Sequence, residues 1–235
     1  MMVKKNLNIL VLGSKPKPKI PKLNFDIIYT ANYALKKIDQ NKKIFRNSKI
    51  VSICGAKELQ KKHIYKTVFN TKINKLIIRS GKYFKTQKRK YRFKIEQFGK
   101  YEQFYFQKKF FQKGLLDMFF GEFCYENFIF LKFKYFKKNL SRGFLGVSTG
   151  LFCILYELSK NYGSKIYISG IGLSGEEGHF NDKSNLSYVK RSRVDKFLIK
   201  KLKKKYFERL FSTEKSLCKY SNIKFYNKKC IKLKK

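Results

Sequence analysis

The stretch GVSTGLFCILYELSKNYGSKIYISGIG, residues 146–172, holds only three charged side chains (Glu157, Lys160 and Lys165) in a chain of formal net charge +41. Ser148 and Thr149 are residues that start helices well, because a side-chain oxygen there accepts from a free N–H of the first turn. Leu151, Phe152, Leu155, Leu158 and Tyr162 then recur at helical spacing. Gly163 falls where a left-handed C-terminal cap is wanted. Two residues later Lys165–Ser169 is a strand, broken by Gly170-Ile171-Gly172. The stretch therefore predicts a helix and a strand of one α/β unit. A lysine in a helix packed on a sheet would have to be desolvated, so burial explains the missing charge.

Working outward, the front of the chain reads the same way. Leu7–Leu12 is a short apolar run that stops at Gly13-Ser14, as strands buried on both faces of a parallel sheet do. After a proline-punctuated loop, Lys15–Lys22, a second strand is expected at Phe25–Tyr29, ending in Thr30-Ala31-Asn32. A short helix over Tyr33–Gln40, a strand at Ile50–Ile53, a helix over Ala56–Phe69 and a strand at Leu76–Ile78 follow. Beyond the opening stretch, Val194, Leu198, Leu202 and Tyr206, with Phe197 beside them, mark another amphipathic helix, and Asn222–Tyr226 a last strand. Strands alternating with helices predict an α/β fold, a mostly parallel sheet with helices on both faces. No internal repeat is visible, and one domain over residues 1–235 is expected.

Between Lys82 and Lys138 the character changes. Segments such as YEQFYFQKKFFQ and ENFIFLKFKYF crowd aromatics among lysines. Two readings are open: a stacking and phosphate-binding surface for single-stranded nucleic acid, or a helical lobe whose aromatics fill its own core. Phe104, Phe111, Leu115, Phe119 and Phe120 recur mainly at spacings of four, which favours the second. Residues 82–140 are accordingly read as an inserted aromatic and lysine-rich helical lobe or lid.

Charge alone does not decide function. The 56 Lys+Arg against 15 Asp+Glu suit a polyanion partner, nucleic acid or an anionic membrane surface. They equally suit coding bias: Lys, Asn, Ile, Phe and Tyr are abundant, Trp is absent, and the lysines lie along the whole chain. Apolar residues, at 43%, are enough for a folded core. Five widely spaced cysteines with no C-x-x-C pair suggest neither a disulfide framework nor a zinc site, and no metal is expected. That usage fits a reduced, cytoplasmic setting. The apolar part of the N-terminus, Ile9–Leu12, is too short for a signal peptide, and no run approaches a membrane span. Membrane contact, if any, is expected to be peripheral, at an anionic inner face.

A helix start presents free N–H groups and a partial positive charge, and so attracts phosphate. Gly146, Ser148, Thr149 and Gly150 supply small residues and hydroxyls at such a start. Gly13-Ser14 lies at the carboxyl end of the first strand, where open α/β sheets place ligands. There is neither G-x-G-x-x-G nor G-x-x-x-x-G-K-[ST], so a classical dinucleotide fold and a P-loop NTPase are disfavoured.

Together, Val147-Ser148-Thr149-Gly150-Leu151, the apolar helix, and Lys165–Ile171 resemble the small sialylmotif of the sialyltransferases. LVLGSKP followed by DIIYTAN is similar to that family's front element. The resemblance covers residues 7–32 and 146–211, with Lys15 and Lys17 standing where small residues are usual. It implies a Rossmann-like, metal-independent glycosyltransferase that takes a sialic-acid-like sugar from a CMP-activated donor and inverts at the anomeric carbon. No cofactor beyond that donor substrate is implied, and the acceptor is a glycan hydroxyl. By position, Gly13, Ser14 and Asn32 would contact the nucleotide. Ser148, Thr149 and Gly150 would hold its phosphate or the sugar carboxylate, and the glycine that ends the strand, Gly170, would also bind the nucleotide sugar.

The reaction needs a base, and histidine suits it. His179, in GEEGHFND, falls in the loop where the resemblance places functional residues, with Glu176, Glu177 and Asp182 as partners or as alternative bases. His63, among lysines on a predicted helix, reads as a surface residue. In related sequences a histidine lies just before the final helix, where this chain has Lys190-Arg191-Ser192-Arg193-Val194-Asp195. Two alternatives therefore stay open: a nucleotide-binding relative without catalysis, and a basic, ribosome-associated nucleic-acid-binding protein.

Overall fold

A computed structural model describes residues 6–79, 92–111, 147–160, 163–173 and 195–233, the side chains of residues 100, 101 and 104 excepted. Among the described residues, eight strands form one sheet. In chain order they are β1 (Asn8–Leu12), β3 (Ile27–Ala31), β4 (Lys49–Gly55), β5 (Lys75–Arg79), β6 (Lys94–Phe98), β7 (Lys165–Ser169), β8 (Leu210–Ser212) and β9 (Lys224–Phe225). Two short strands, β2 (Lys19–Pro21) and β10 (Cys230–Lys232), pair with each other outside it.

The spatial order is β6-β5-β4-β3-β1-β7-β8-β9, and every pairing within the eight is parallel. The chain starts in the middle at β1, builds outward through β3 to β6, then returns to β1's other side with β7. The order thus reverses between β1 and β7, which makes that junction the switch point of the sheet. The α/β class expected from the sequence is the one observed.

Alternation along β1 shows why helices cover both faces. Ile9 and Val11 join one apolar cluster, Leu10 and Leu12 the other. The first cluster lies under α6 (Thr149–Lys160), the helical residues 195–200 and α7 (Lys215–Lys219). The second lies under α1 (Leu35–Gln40), α2 (Lys42–Phe45), α3 (Ala56–Leu59) and α4 (Lys62–Asn70). Among the described residues no helix is long and apolar enough to cross a membrane.

The helix in the opening stretch is buried more fully than an amphipathic pattern requires. Every residue from Leu151 to Leu158 is buried, Glu157 included. One side meets β3, β1 and β4. Phe152 and Tyr156 also meet the rings of Phe98 and Phe106, from β6 and from α5 (Lys100–Lys108). Glu157 is stabilised by the Ser164 hydroxyl, which donates to it at 2.9 Å, while Arg209 holds both the hydroxyl and the carbonyl of Ser164.

Several expectations are corrected. Lys94–Phe98, placed by sequence inside the 82–140 lobe, is instead an edge strand of the sheet. The expected aromatic stripe is broken, because α5 ends at Lys108 and Phe111 lies beyond it, bridged to Leu202. Leu115, Phe119 and Phe120 lie outside the described residues. The helix expected over 56–69 is two, α3 and α4. The one through Tyr206 ends at residue 200, and a 3-10 turn over Lys204–Arg209 follows.

Candidate functional site

Parallel register brings the ends of the strands to one edge. Leu12 lies opposite Thr30 and Ser169, and Gly55 opposite Arg79. The turns that follow, at Gly13, Asn32, Gly55 and Gly170, therefore share the carboxyl edge.

At the switch point the two loops touch backbone to backbone. The N–H of Gly13 donates to the Ser169 carbonyl at 2.8 Å, and that of Lys15 to the Gly170 carbonyl at 3.0 Å. A Cβ on Gly13 would lie 2.1 Å from the Gly170 oxygen. Gly170 has φ +68°, and its Cβ would lie 2.8 Å from the Gly13 oxygen. Ile171 wedges beside both loops: its Cγ1 would sit 2.6 Å from a Cβ on Gly13, and its Cδ1 3.0 Å from one on Gly150. Sequence-distant Gly13 and Gly150 thus meet at the Ile171 side chain, while Gly170 meets the Gly13 backbone and Pro18. At all three the space left by the missing side chain is filled by protein.

The start of α6 is fixed from four directions. Arg79, 2% exposed at the end of β5, donates through Nη2 to the Val147 carbonyl at 2.6 Å and packs over Phe152. Gln107 Oε1 accepts from the Val147 N–H at 2.8 Å. Asp195 Oδ1 accepts from the Ser148 N–H at 2.8 Å, and Ser148 Oγ accepts from the Leu151 N–H at 3.2 Å. Ser148 is therefore the N-cap, as its position suggested. The N–H groups of Thr149 and Gly150, both half-buried, have no acceptor among the described residues. Asp195 already places a carboxylate at the positive end of this helix.

Asn32 adopts φ +51° and closes the next turn, its Oδ1 accepting from the Gly55 N–H at 3.2 Å. Ser14 is half-buried on the loop beside Gly13. His63 is exposed on α4, as read from sequence, with its ring edge-on to Tyr33, the residue after Asn32, at 5.1 Å. His179 lies outside the described residues, as do Gly146, Glu176, Glu177, Asp182 and residues 190–194.

Three side chains that sequence reasoning gave no functional role clamp the switch point. Lys37 of α1, 1% exposed, donates its Nζ hydrogen to the Lys15 carbonyl. Lys15 forms a 2.7 Å ion pair with Glu214, whose other oxygen accepts from the Gly170 N–H at 2.9 Å. Burial pushes the Lys37 amine down to about 8, with the Glu214 carboxylate opposing. The only sequence signal was Lys15 itself, standing where small residues are usual. Lys37 lies in an unremarkable LKKIDQ helix and gave none.

The aromatics described from the middle of the chain point inward. Phe110 and Phe111 are buried, and Phe98 and Phe106 pack on the same core. Tyr105 is the exposed exception. No family model matches this chain, and no curated protein or solved structure matches it significantly.

Proposed function

We propose that the chain is an inverting glycosyltransferase that moves a sialic-acid-like sugar from a CMP-activated donor to a glycan hydroxyl. The observation that carries this reading is the convergence of the Gly13 and Gly170 loops, which touch backbone to backbone, with the Gly150 helix start across Ile171, on the carboxyl edge where strand order reverses. Open α/β sheets bind ligands at that place. The Thr149 and Gly150 N–H groups, at the positive end of a 12-residue helix, suit the donor phosphate. Asn32, with its oxygen engaged by Gly55, keeps its amide hydrogens for the nucleotide.

In the proposed reaction a base takes the acceptor hydroxyl proton. The acceptor oxygen bonds the anomeric carbon from one side while the bond to CMP breaks on the other, its electron pair leaving with the phosphate. His179 is the residue assigned to the base, on the resemblance alone. A second reading, nucleotide binding without turnover, is favoured by the absence of histidine from Lys190–Asp195.

Chromatographic detection of CMP released from a CMP-sialic acid donor, with a mixed glycan acceptor, separates the two. The enzyme reading expects release that His179→Ala lowers by about a hundredfold or more. CMP binding without release would leave only the second reading. Release unchanged by the substitution would remove His179 from the chemistry.

A further inference from the structure

We infer that the ribbon formed by β2 and β10 is a docking surface for an anionic lipid bilayer. The two strands are antiparallel, with Lys19 opposite Lys232 and Ile20 opposite Ile231. Ile20 belongs to the core, half-buried Ile231 packs against it, and both lysines are exposed. Residues 15–23 hold four lysines and residues 227–233 three, with no acid in either segment. Lys15 is engaged by Glu214. The other six (Lys17, Lys19, Lys22, Lys228, Lys229 and Lys232) are exposed, and none is ion-paired among the described residues. A few exposed lysines elsewhere do find acids, as Lys42 does Asp39 and Lys61 does Glu58. Like charges directly opposite in an antiparallel pair cost stability. The ribbon thus keeps a repulsive positive field that an external anionic surface relieves.

The composition of the ribbon favours a bilayer over nucleic acid. None of the six is arginine, whose planar fork suits bidentate recognition of phosphate and bases. Neither segment holds an aromatic residue on which a base would stack. The exposed apolar residue there is aliphatic Leu23, next to Lys22, suited to the headgroup boundary. Clusters of four to eight lysines bind anionic lipid headgroups through charge. The ribbon also has a fixed place: the Lys19 carbonyl accepts from the hydroxyls of Ser169 and Thr213, so docking holds the carboxyl edge near the bilayer.

The test needs no nucleotide, so its outcome is separate from that of the transferase reading. The full chain is co-sedimented with phosphatidylcholine vesicles, with and without about 30% phosphatidylglycerol, at about 0.1 M salt. Binding is expected to the mixed vesicles only, and to weaken as salt rises. The triple substitution Lys19→Glu, Lys229→Glu, Lys232→Glu should weaken it by about a hundredfold or more. The same change of charge on and just after α4, at exposed Lys62, Lys66 and Lys72, should alter it by less than about threefold. The neutral triple at Lys19, Lys229 and Lys232 to Gln should also lose binding, with an unchanged circular dichroism spectrum. Equal losses from the ribbon and α4 triples, or no binding by the natural chain, would overturn the inference. Ribbon-dependent binding of single-stranded RNA without vesicle binding would overturn it in favour of nucleic acid.

Discussion

At Gly13 a methyl group has nowhere to go, because the nearest atom is a backbone oxygen of the neighbouring loop, 2.1 Å from where Cβ would be. Gly13→Ala should therefore cost at least about 3 kcal/mol of stability in urea unfolding. Gly170→Ala adds the left-handed penalty of about 1–2 kcal/mol to a backbone contact. Gly150→Ala is different: it meets only the Ile171 side chain, and gains up to about 1 kcal/mol of helix propensity. Its stability should stay within about 1 kcal/mol of the natural chain. Equal losses at Gly13 and Gly150 would contradict the packing described.

Lys37 gives the second residue-scale prediction. Its amine is depressed in the fold to about 8, below its ordinary value. Between the two values the unfolded chain holds a proton that the folded chain has lost, so stability rises with pH across that window. Relative to Lys37→Met, the natural chain should gain stability from pH 8 towards 10, with a slope approaching about 1.4 kcal/mol per pH unit. Parallel curves for the two proteins would place the amine in water. Glycines at strand ends are legible in sequence, but the atoms they make room for are not. Nor was a buried lysine, since Lys37 is one cation among many until a carbonyl from another loop is placed over it.

The start of α6 shows how an element serves fold and site together. Ser148 caps it and Asp195 accepts the Ser148 N–H. That leaves the N–H groups of Thr149 and Gly150 as the donors without an acceptor among the described residues, and so those the proposed phosphate would use. Asp195→Asn keeps an oxygen acceptor but removes a negative charge from the helix start. It should lower stability by about 0.3–1 kcal/mol, because the favourable charge–dipole term is lost. CMP affinity in calorimetry should rise several-fold, because a carboxylate no longer opposes the phosphate. Weaker CMP binding in this variant would show that Asp195 supports the ligand instead. The cap and the apolar helix were readable from spacing and residue type. The partners Arg79, Gln107 and Asp195 were not, because each comes from a different strand or helix, brought in by topology alone. Burial around the whole helix was also missed. Its second wall is the β6–α5 segment, whose run of Phe and Tyr reads as a separate lobe.

For the molecule as a whole, short apolar-rich runs, most of them closed by glycine or asparagine, identified six of the strands of the parallel sheet. The edge strand β6 was hidden because Lys94–Phe98 is charged and only half-buried, and β8 because three residues show no period. The site was legible as a set of turns, since parallel strands carry every such turn to one edge. Its clamp through Lys15, Lys37 and Glu214 was not. The central proposal is that this edge receives a cytidine monophosphate, and calorimetric titration of the natural chain with CMP, beside UDP, tests it most directly. The account predicts one CMP per chain with a dissociation constant below about 1 mM, and UDP weaker by about tenfold or more. No heat with CMP at millimolar concentration, or equal binding of the two nucleotides, would contradict it.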